Sequence, residues 1–368
     1  MYDFAVVGAG INGCAIAYEL AESGKKVLVL DKEFIAAGGS GAAGAFIAPK
    51  FSKSGPLKEL VHHSFLYAKE FYTQKFPEHF TQIELLHLAH NEKTTAMLQA
   101  YKKTTPLKTL QLSKEHLTQN AKEACSIGIE AGVVDAKAMC EALCSGSDFI
   151  QEEIASLQYQ DNFWFLNEKY KAKNVVVATG AYLSILPEKY VRLRGVWGHR
   201  VDIATQTQNS ISLHQEVSIS PNRDGIIAVG ATHNLSYHPQ TTQEPYDFKA
   251  GQEELLQKAS KTLLFKDDIQ IVKDYVGLRS GSADYMPILG NLVDSQKTFE
   301  SGLNLRRKKI EYSKFTYHKG LYIINGSSGY GFVLAPYLAK VLKEFILERK
   351  PLAKELDVAR FFAKEARS

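Results

Sequence analysis

Cysteine is scarce in this chain: four in 368 residues, Cys14, Cys125, Cys140 and Cys144. They form no CxxC pair and no zinc-type spacing, so neither a disulfide scaffold nor a structural zinc cluster is expected. Cys140 and Cys144 stand four apart on an expected helix, the spacing of core packing. No apolar run approaches the roughly 20 residues of a membrane-spanning helix. The opening MYDFAVVGAG enters a strand with no basic leader or cleavage site. A reducing cytoplasm is therefore the expected compartment. Excess charge of one sign is also missing. Lys and Arg number 44 against 40 Asp and Glu, a net +4 that permits an anionic partner without requiring one. No internal repeat, HExxH, Ser/His/Asp triad or paired-carboxylate motif is present, and the eleven histidines show no ligand spacing. No metal is expected.

The chain does carry a nucleotide-binding start. Phe4–Val7 reads as a buried strand, 11–23 as a helix with Gly24 as its C-cap, and Val27–Leu30 as a second strand ending at Asp31. Between the first strand and the helix stands Gly8-Ala9-Gly10-Ile11-Asn12-Gly13, a GxGxxG turn. Gly8 permits the tight turn, Gly10 lets a pyrophosphate approach the helix N-terminus, and Gly13 allows close helix–strand packing. Asp31, 18 positions past Gly13, is placed to hydrogen-bond a ribose, with Lys32 beside it. Ile11 and Asn12 fall within the same cofactor-binding turn. A small-residue segment, AAGGSGAAGAF (36–46), follows. There the backbone at Gly39, Ser40, Gly41, Ala43 and Gly44 can approach a phosphate or ring oxygen closely.

Further on, 58–76, 92–103, 249–264 and 334–348 read as helices. GVVDAKAMCEAL (132–143) reads as a strand end, an Asp N-cap and a helix. KNVVVATGA ends a buried strand (175–178) at Ala178 and Gly180. Short strand-like runs cover 191–230, and GLYIING (320–326) is a last buried strand. After it, NGSSGYGFVLAP offers a second glycine loop before a helix, with Ser328, Gly329, Tyr330, Gly331 and Phe332 as cofactor-facing candidates. A helix N-terminus aimed at a flavin would stabilise the charge of its reduced ring. The N-terminal fingerprint and the two small-residue loops together favour FAD over NAD. The expected fold is α/β: a discontinuous Rossmann-like FAD-binding domain with an inserted α+β substrate domain built on a mixed β-sheet. The expected boundaries are 1–80, 126–188 and 274–368 for the first, and 81–125 and 189–273 for the second.

These pieces, with GLRSGSADYMPILG (277–290), resemble in order and spacing the FAD-dependent amine and amino-acid oxidases, the family of D-amino-acid oxidase and glycine oxidase. Within it, GATHNLSYHPQTTQEPYDFKAGQEELLQKA (230–259), 276–291 and DVARFFAKEA (357–366) are similar to the oxidase half of the MnmC family of tRNA-modification proteins. The methyltransferase half of that family is not found in this sequence. Trp197-Gly198-His199 stands where the wider family usually has Arg-Gly-Gln.

The resemblance implies that Arg279 grips a substrate carboxylate beside the flavin, and Arg279 is counted with the cofactor contacts as well. An arginine fork suits that task. The alternative is an arginine paired to Asp284 or capping a strand. Tyr330 is the aromatic residue expected to face the flavin; Tyr237 and Tyr246 are weaker candidates. No cysteine follows Cys144, so FAD is expected to be noncovalent. The implied reaction removes a hydride from the carbon beside an amine. The substrate is then the carboxymethylaminomethyl group of a tRNA wobble uridine, giving aminomethyl-uridine and glyoxylate. The alternatives are an oxidase or dehydrogenase of free glycine, sarcosine or D-amino acids, and a flavoprotein binding module without turnover. For tRNA, Arg306-Arg307-Lys308-Lys309 and the tail cations Arg349, Lys350, Lys354, Arg360, Lys364 and Arg367 form the expected basic surface. A separate methyltransferase of the same pathway is the other implied partner.

Overall fold

Four apolar runs, FAVV, VLVL, VVV and LYII, become parallel neighbours whose centres are buried on both faces, as parallel sheets require. The computed structural model describes residues 1–305 and 310–367. It divides into two compact units: 1–40, 137–195 and 279–368 in the first, 41–136 and 196–278 in the second.

In the first unit the sheet order is Ile288–Val293, Tyr317–Asn325, Tyr170–Val177, Tyr2–Val7, Val27–Asp31, Asp148–Gln151. All neighbours are parallel except the Ile288–Val293 edge, and a hairpin, Leu157–Gln160 with Phe163–Leu166, extends the Tyr170–Val177 strand. The register is tight. Val7 lies opposite both Leu30 and Val177, and Val177 opposite Ile323. The carboxyl ends of four strands therefore finish in one row. Helices Ile11–Glu22 and Gly331–Glu348 pack on each other. An apolar cluster that includes Tyr190, Leu292, Phe315 and Phe362 forms a core of the unit.

The second unit is a nine-stranded mixed sheet running Gln270–Ser282, Leu193–Ala204, Ile226–Gly230, Ser218–Ile219, Ser212–His214, Phe80–Leu88, Ser126–Val134, Phe46–Ile47, with Thr109–Leu110 on Ser126–Val134. Alternation along the strands splits its core in two. Leu86, Ile203, Leu213 and Val229 pack with Leu255 and Ala259 of helix Phe248–Ser260. Leu85, Ile127 and Ile129 pack with Leu98 and Tyr101 of helix Glu92–Thr104.

The unit boundaries differ from those expected. Residues 41–80 and 126–136 lie in the second unit because Phe46–Ile47 and Phe80–Leu88 both pair with Ser126–Val134. Residues 189–195 lie in the first unit and 274–278 in the second. The short runs over 191–230 include one 12-residue strand, Leu193–Ala204. The last long helix begins at Gly331, three residues before the expected start, and carries Pro336 inside it. Among the described residues, no helix is long and apolar enough to cross a membrane. The basic run 306–309 lies outside the described residues.

Candidate functional site

The row of strand ends in the first unit reverses direction between Tyr2–Val7 and Tyr170–Val177. The chain goes from the first strand to Val27–Asp31 on one side and later to Tyr170–Val177 on the other. Ligands of open α/β sheets bind at such a switch point. Gly8 stands there with φ +107°, and a Cβ on it would strike the Ala178 carbonyl. A Cβ on Gly13 would strike the Gly8 carbonyl. The turn can close only with glycine at both places.

Gly10 is the N-cap of the Ile11–Glu22 helix and offers no side chain to it. Ser40 supplies the missing acceptor: its Oγ takes the Ile11 N–H at 2.9 Å. Asp31 Oδ2 accepts the Ala9 N–H at 2.7 Å and Oδ1 the Glu33 N–H at 3.1 Å. Burial raises the Asp31 pKa despite these two bonds. Lys32 lies over the Tyr182 ring, 4.8 Å from its centroid, and beside Glu33.

Asn325, fully buried at the end of Tyr317–Asn325, ties the row together and was not singled out from the sequence. Its Nδ2 donates to the Gly180 carbonyl at 2.9 Å. Its Oδ1 accepts from Ser280 Oγ and from the Gly326 N–H, both at 2.8 Å. Ser327 Oγ donates to Asn12 Oδ1 at 3.0 Å. These bonds join the GxGxxG helix, the Gly180 turn, the strand of Arg279 and the C-terminal glycine loop. A buried Asn before glycine is the signal that could have found this node. Ser328 (φ +50°), Gly329 and Tyr330 form a short 3-10 turn that leads into Gly331 and Phe332 of the long helix.

Arg279 is half-buried, and desolvation lowers its pKa. The Asp284 carboxylate is held by Arg360, with Nε to Oδ2 at 2.7 Å and Nη2 to Oδ1 at 3.0 Å. Burial raises the Asp284 pKa, but the Arg360 fork outweighs it and the net shift is downward. Arg360 also donates to the Leu356, Asp357, Met286 and Pro287 carbonyls. It therefore braces the turn after Arg279 and is not a loose tail cation. Lys350 is likewise paired, with Glu344 and Glu348.

The remaining loop candidates, Gly41, Ala43 and Gly44, belong to the second unit. There, Arg200 Nη1 donates to the Ala43 carbonyl at 3.0 Å. Tyr237 and Tyr246 join Trp197 and Phe248 in an aromatic cluster around His199. His199 is fully buried, with Asp274 Oδ1 2.7 Å from Nε2 and Tyr246 Oη 3.2 Å from Nδ1. This network had no visible histidine spacing in the sequence. Another gathers Glu188, Asp294 and His318, with His318 Nε2 2.7 Å from Glu188 and Lys297 Nζ 2.7 Å from Asp294.

The chain matches the family model described as FAD dependent oxidoreductase (DAO) over residues 3–345. It is similar to the tRNA 5-methylaminomethyl-2-thiouridine biosynthesis bifunctional protein MnmC of Legionella pneumophila (strain Corby), 26% identical over 395 residues that cover 98% of this chain and 57% of the relative. The chain thus spans a little over half the length of that relative. Its fold is similar to that of glycine oxidase from Bacillus cereus ATCC 14579, with a TM-score of 0.76, 20% identity, and coverage of 95% of this chain and 96% of the other. Glycine oxidase from Geobacillus kaustophilus gives 0.75 and 22%, covering 98% and 97%. With a family model matched along nearly its whole length and the switch-point turn that such a cofactor needs, the chain belongs to the FAD dependent oxidoreductase family.

Proposed function

We propose that this chain oxidises the C–N bond of a glycine-like secondary amine, the carboxymethylaminomethyl group of a tRNA wobble uridine, to give aminomethyl-uridine and glyoxylate. The observation that carries the reading is the likeness to MnmC along 98% of the chain. The residues fit the cofactor. The turn at Gly8 and Gly13 brings backbone to backbone, and the Ile11 amide is met by the small hydroxyl of Ser40. Gly8, Gly10, Gly13 and the helix N-terminus would hold the pyrophosphate, Asp31 a ribose, and Gly180 and the 328–332 turn the ring system. Gly41, Ala43 and Gly44 would add backbone contacts.

FAD, when bound, supplies the two-electron acceptor. Arg279 would hold the glycine-type carboxylate, and Ser280, tied to Asn325, fixes the backbone next to it. Loss of hydride from the methylene and of the amine proton leaves a C=N bond. Water adds to that bond and splits it into aminomethyl-uridine and glyoxylate. With Cys14, Cys140 and Cys144 buried, Cys125 half-buried in the second unit and no cysteine after Cys144, FAD would be held noncovalently. Acid precipitation should leave the yellow colour in solution. The aminomethyl product invites methyl transfer, so a methyltransferase is a proposed partner.

The test is flavin bleaching under anaerobic conditions. Purified protein is given tRNA from cells lacking the oxidase and, in parallel, free glycine, sarcosine and D-alanine. Bleaching with tRNA alone, fading as salt rises, supports the tRNA reading. Bleaching by the free amino acids alone overturns it and leaves an amino-acid oxidase.

A further inference from the structure

Tyr285 holds a backbone φ of +68°, a left-handed conformation that glycine enters freely and a bulky side chain rarely does. It is kept there from several sides. The Tyr285 N–H donates to the Ser282 carbonyl at 3.3 Å. The Asp284 carboxylate accepts from Ser282 Oγ at 2.9 Å and from the Met286 N–H at 3.2 Å, and it is the carboxylate that Arg360 grips. The strain secures no burial, since Tyr285 is 61% exposed. Packing gains nothing from it, so its reason lies at the surface.

Arg194 makes that reason specific. Its guanidinium carbon lies 4.3 Å from the centre of the Tyr285 ring, and its Nη1 is 3.5 Å from the hydroxyl. The arginine is exposed as well. Its stem runs over Gly281: a Cβ built there would lie 3.6 Å from Arg194 Nε, 3.7 Å from its Cγ and 3.7 Å from Ser328 Oγ. Gly281 is also bridged to Ser327. Gly281 and Arg279 are two apart on one strand, so their side-chain directions share a face. The stacked pair therefore stands beside Arg279 and the 327–328 turn, all within the first unit. An open aromatic ring with a cation laid on it matches an unpaired nucleotide, whose base stacks and whose phosphate is anionic.

We propose that Tyr285 and Arg194 form a nucleotide clamp: the Tyr285 ring stacks on a base next to the modified uridine, and Arg194 takes that nucleotide's phosphate. The inference rests on the tRNA reading above. Its test uses holo-protein and tRNA from cells lacking the oxidase. Tyr285→Gly removes the ring and relieves the left-handed strain, so its urea midpoint should equal or exceed that of wild type. Its tRNA affinity should nevertheless fall about tenfold, the effect of one lost stack. Tyr285→Phe keeps the ring and should bind like wild type. Arg194→Gln should weaken binding and flatten the slope of log K against log[salt] by about 0.7, the share of one phosphate of a single strand. The free carboxymethylaminomethyl-uridine nucleoside has no neighbour to clamp, so Tyr285→Gly should lose far less kcat/KM with it than with tRNA. If wild type binds tRNA and Tyr285→Gly binds it equally well, the pair is no clamp although the tRNA reading stands. A urea midpoint that falls with the affinity makes the ring a brace of its own turn and overturns the proposal too. If wild type neither binds tRNA nor is bleached by it, the tRNA reading fails and takes the clamp with it.

Discussion

Ser40 caps a helix that begins 29 residues before it: its Oγ accepts the Ile11 N–H at the first turn of Ile11–Glu22. The hydroxyl keeps its own proton, which a phosphate oxygen can accept. Ser40→Ala should cost about 0.5–2 kcal/mol in urea unfolding of the apo-protein, the range for a lost N-cap. It should also raise the Kd for FAD several-fold. No change in either quantity would make the contact incidental.

Arg360 should matter to the first unit out of proportion to its place in the tail. It is 11% exposed on its side chain and joins Asp284 to four carbonyls. Asp284 is 42% exposed, so solvent screens the pair and the loss is smaller than for a fully buried ion pair. Arg360→Gln is expected to cost about 1–3 kcal/mol, read as a lower urea midpoint. A midpoint equal to wild type would mean that the fork adds nothing.

Arg279→Lys keeps the charge and loses the fork. For a carboxylate-bearing amine, kcat/KM should fall about a hundredfold, the effect of one lost charge-assisted hydrogen bond. The loss of FAD affinity should be smaller than that. A substrate ester, which has no carboxylate to grip, should show little difference between the two proteins. An equal drop for acid and ester would remove the carboxylate role.

Acid should weaken the second unit through two histidines. Burial pushes His87 down to about 3, helped by His214 and His90, and pushes His214 down to about 4. Both are neutral in the folded state at pH 7, against about 6.5 unfolded. Below that value the unfolded chain binds more protons, so stability falls as pH drops from about 6.5 toward 4. The slope is at most about 1.4 kcal/mol per pH unit for each group. The rings pack on Phe51 and Phe46, so His87→Phe and His214→Phe suit the site. Each should flatten urea midpoints between pH 6.5 and 4.5; an unaltered slope would discard this account.

The start of the first unit was plain in the sequence because its signals are local. A strand, a glycine turn, a helix and an acid within 31 residues leave few alternatives. The second unit was harder to read. Phe80–Leu88 and Gln270–Ser282 mix exposed and buried residues, so no clean period marks them. The site showed the same divide. Gly8, Gly13 and Asp31 follow from spacing, whereas Asn325, Arg360 and Arg200 act through partners 45 to 157 residues away. Arg360 read as a tail charge because nothing near it in sequence reveals Asp284.

The strand order also dictates when the molecule can fold. Tyr2–Val7 is synthesised well before one of its two neighbours, Tyr170–Val177, whose own outer neighbour, Tyr317–Asn325, comes later still. The central sheet therefore waits for strands far apart in sequence, and the loop-closure entropy of those pairings is large. During that wait, apolar strand edges stand open to wrong partners. The glycine turn and the 325–332 loop, tied through Asn12 and Ser327, therefore come together only after Tyr317–Asn325 has been made.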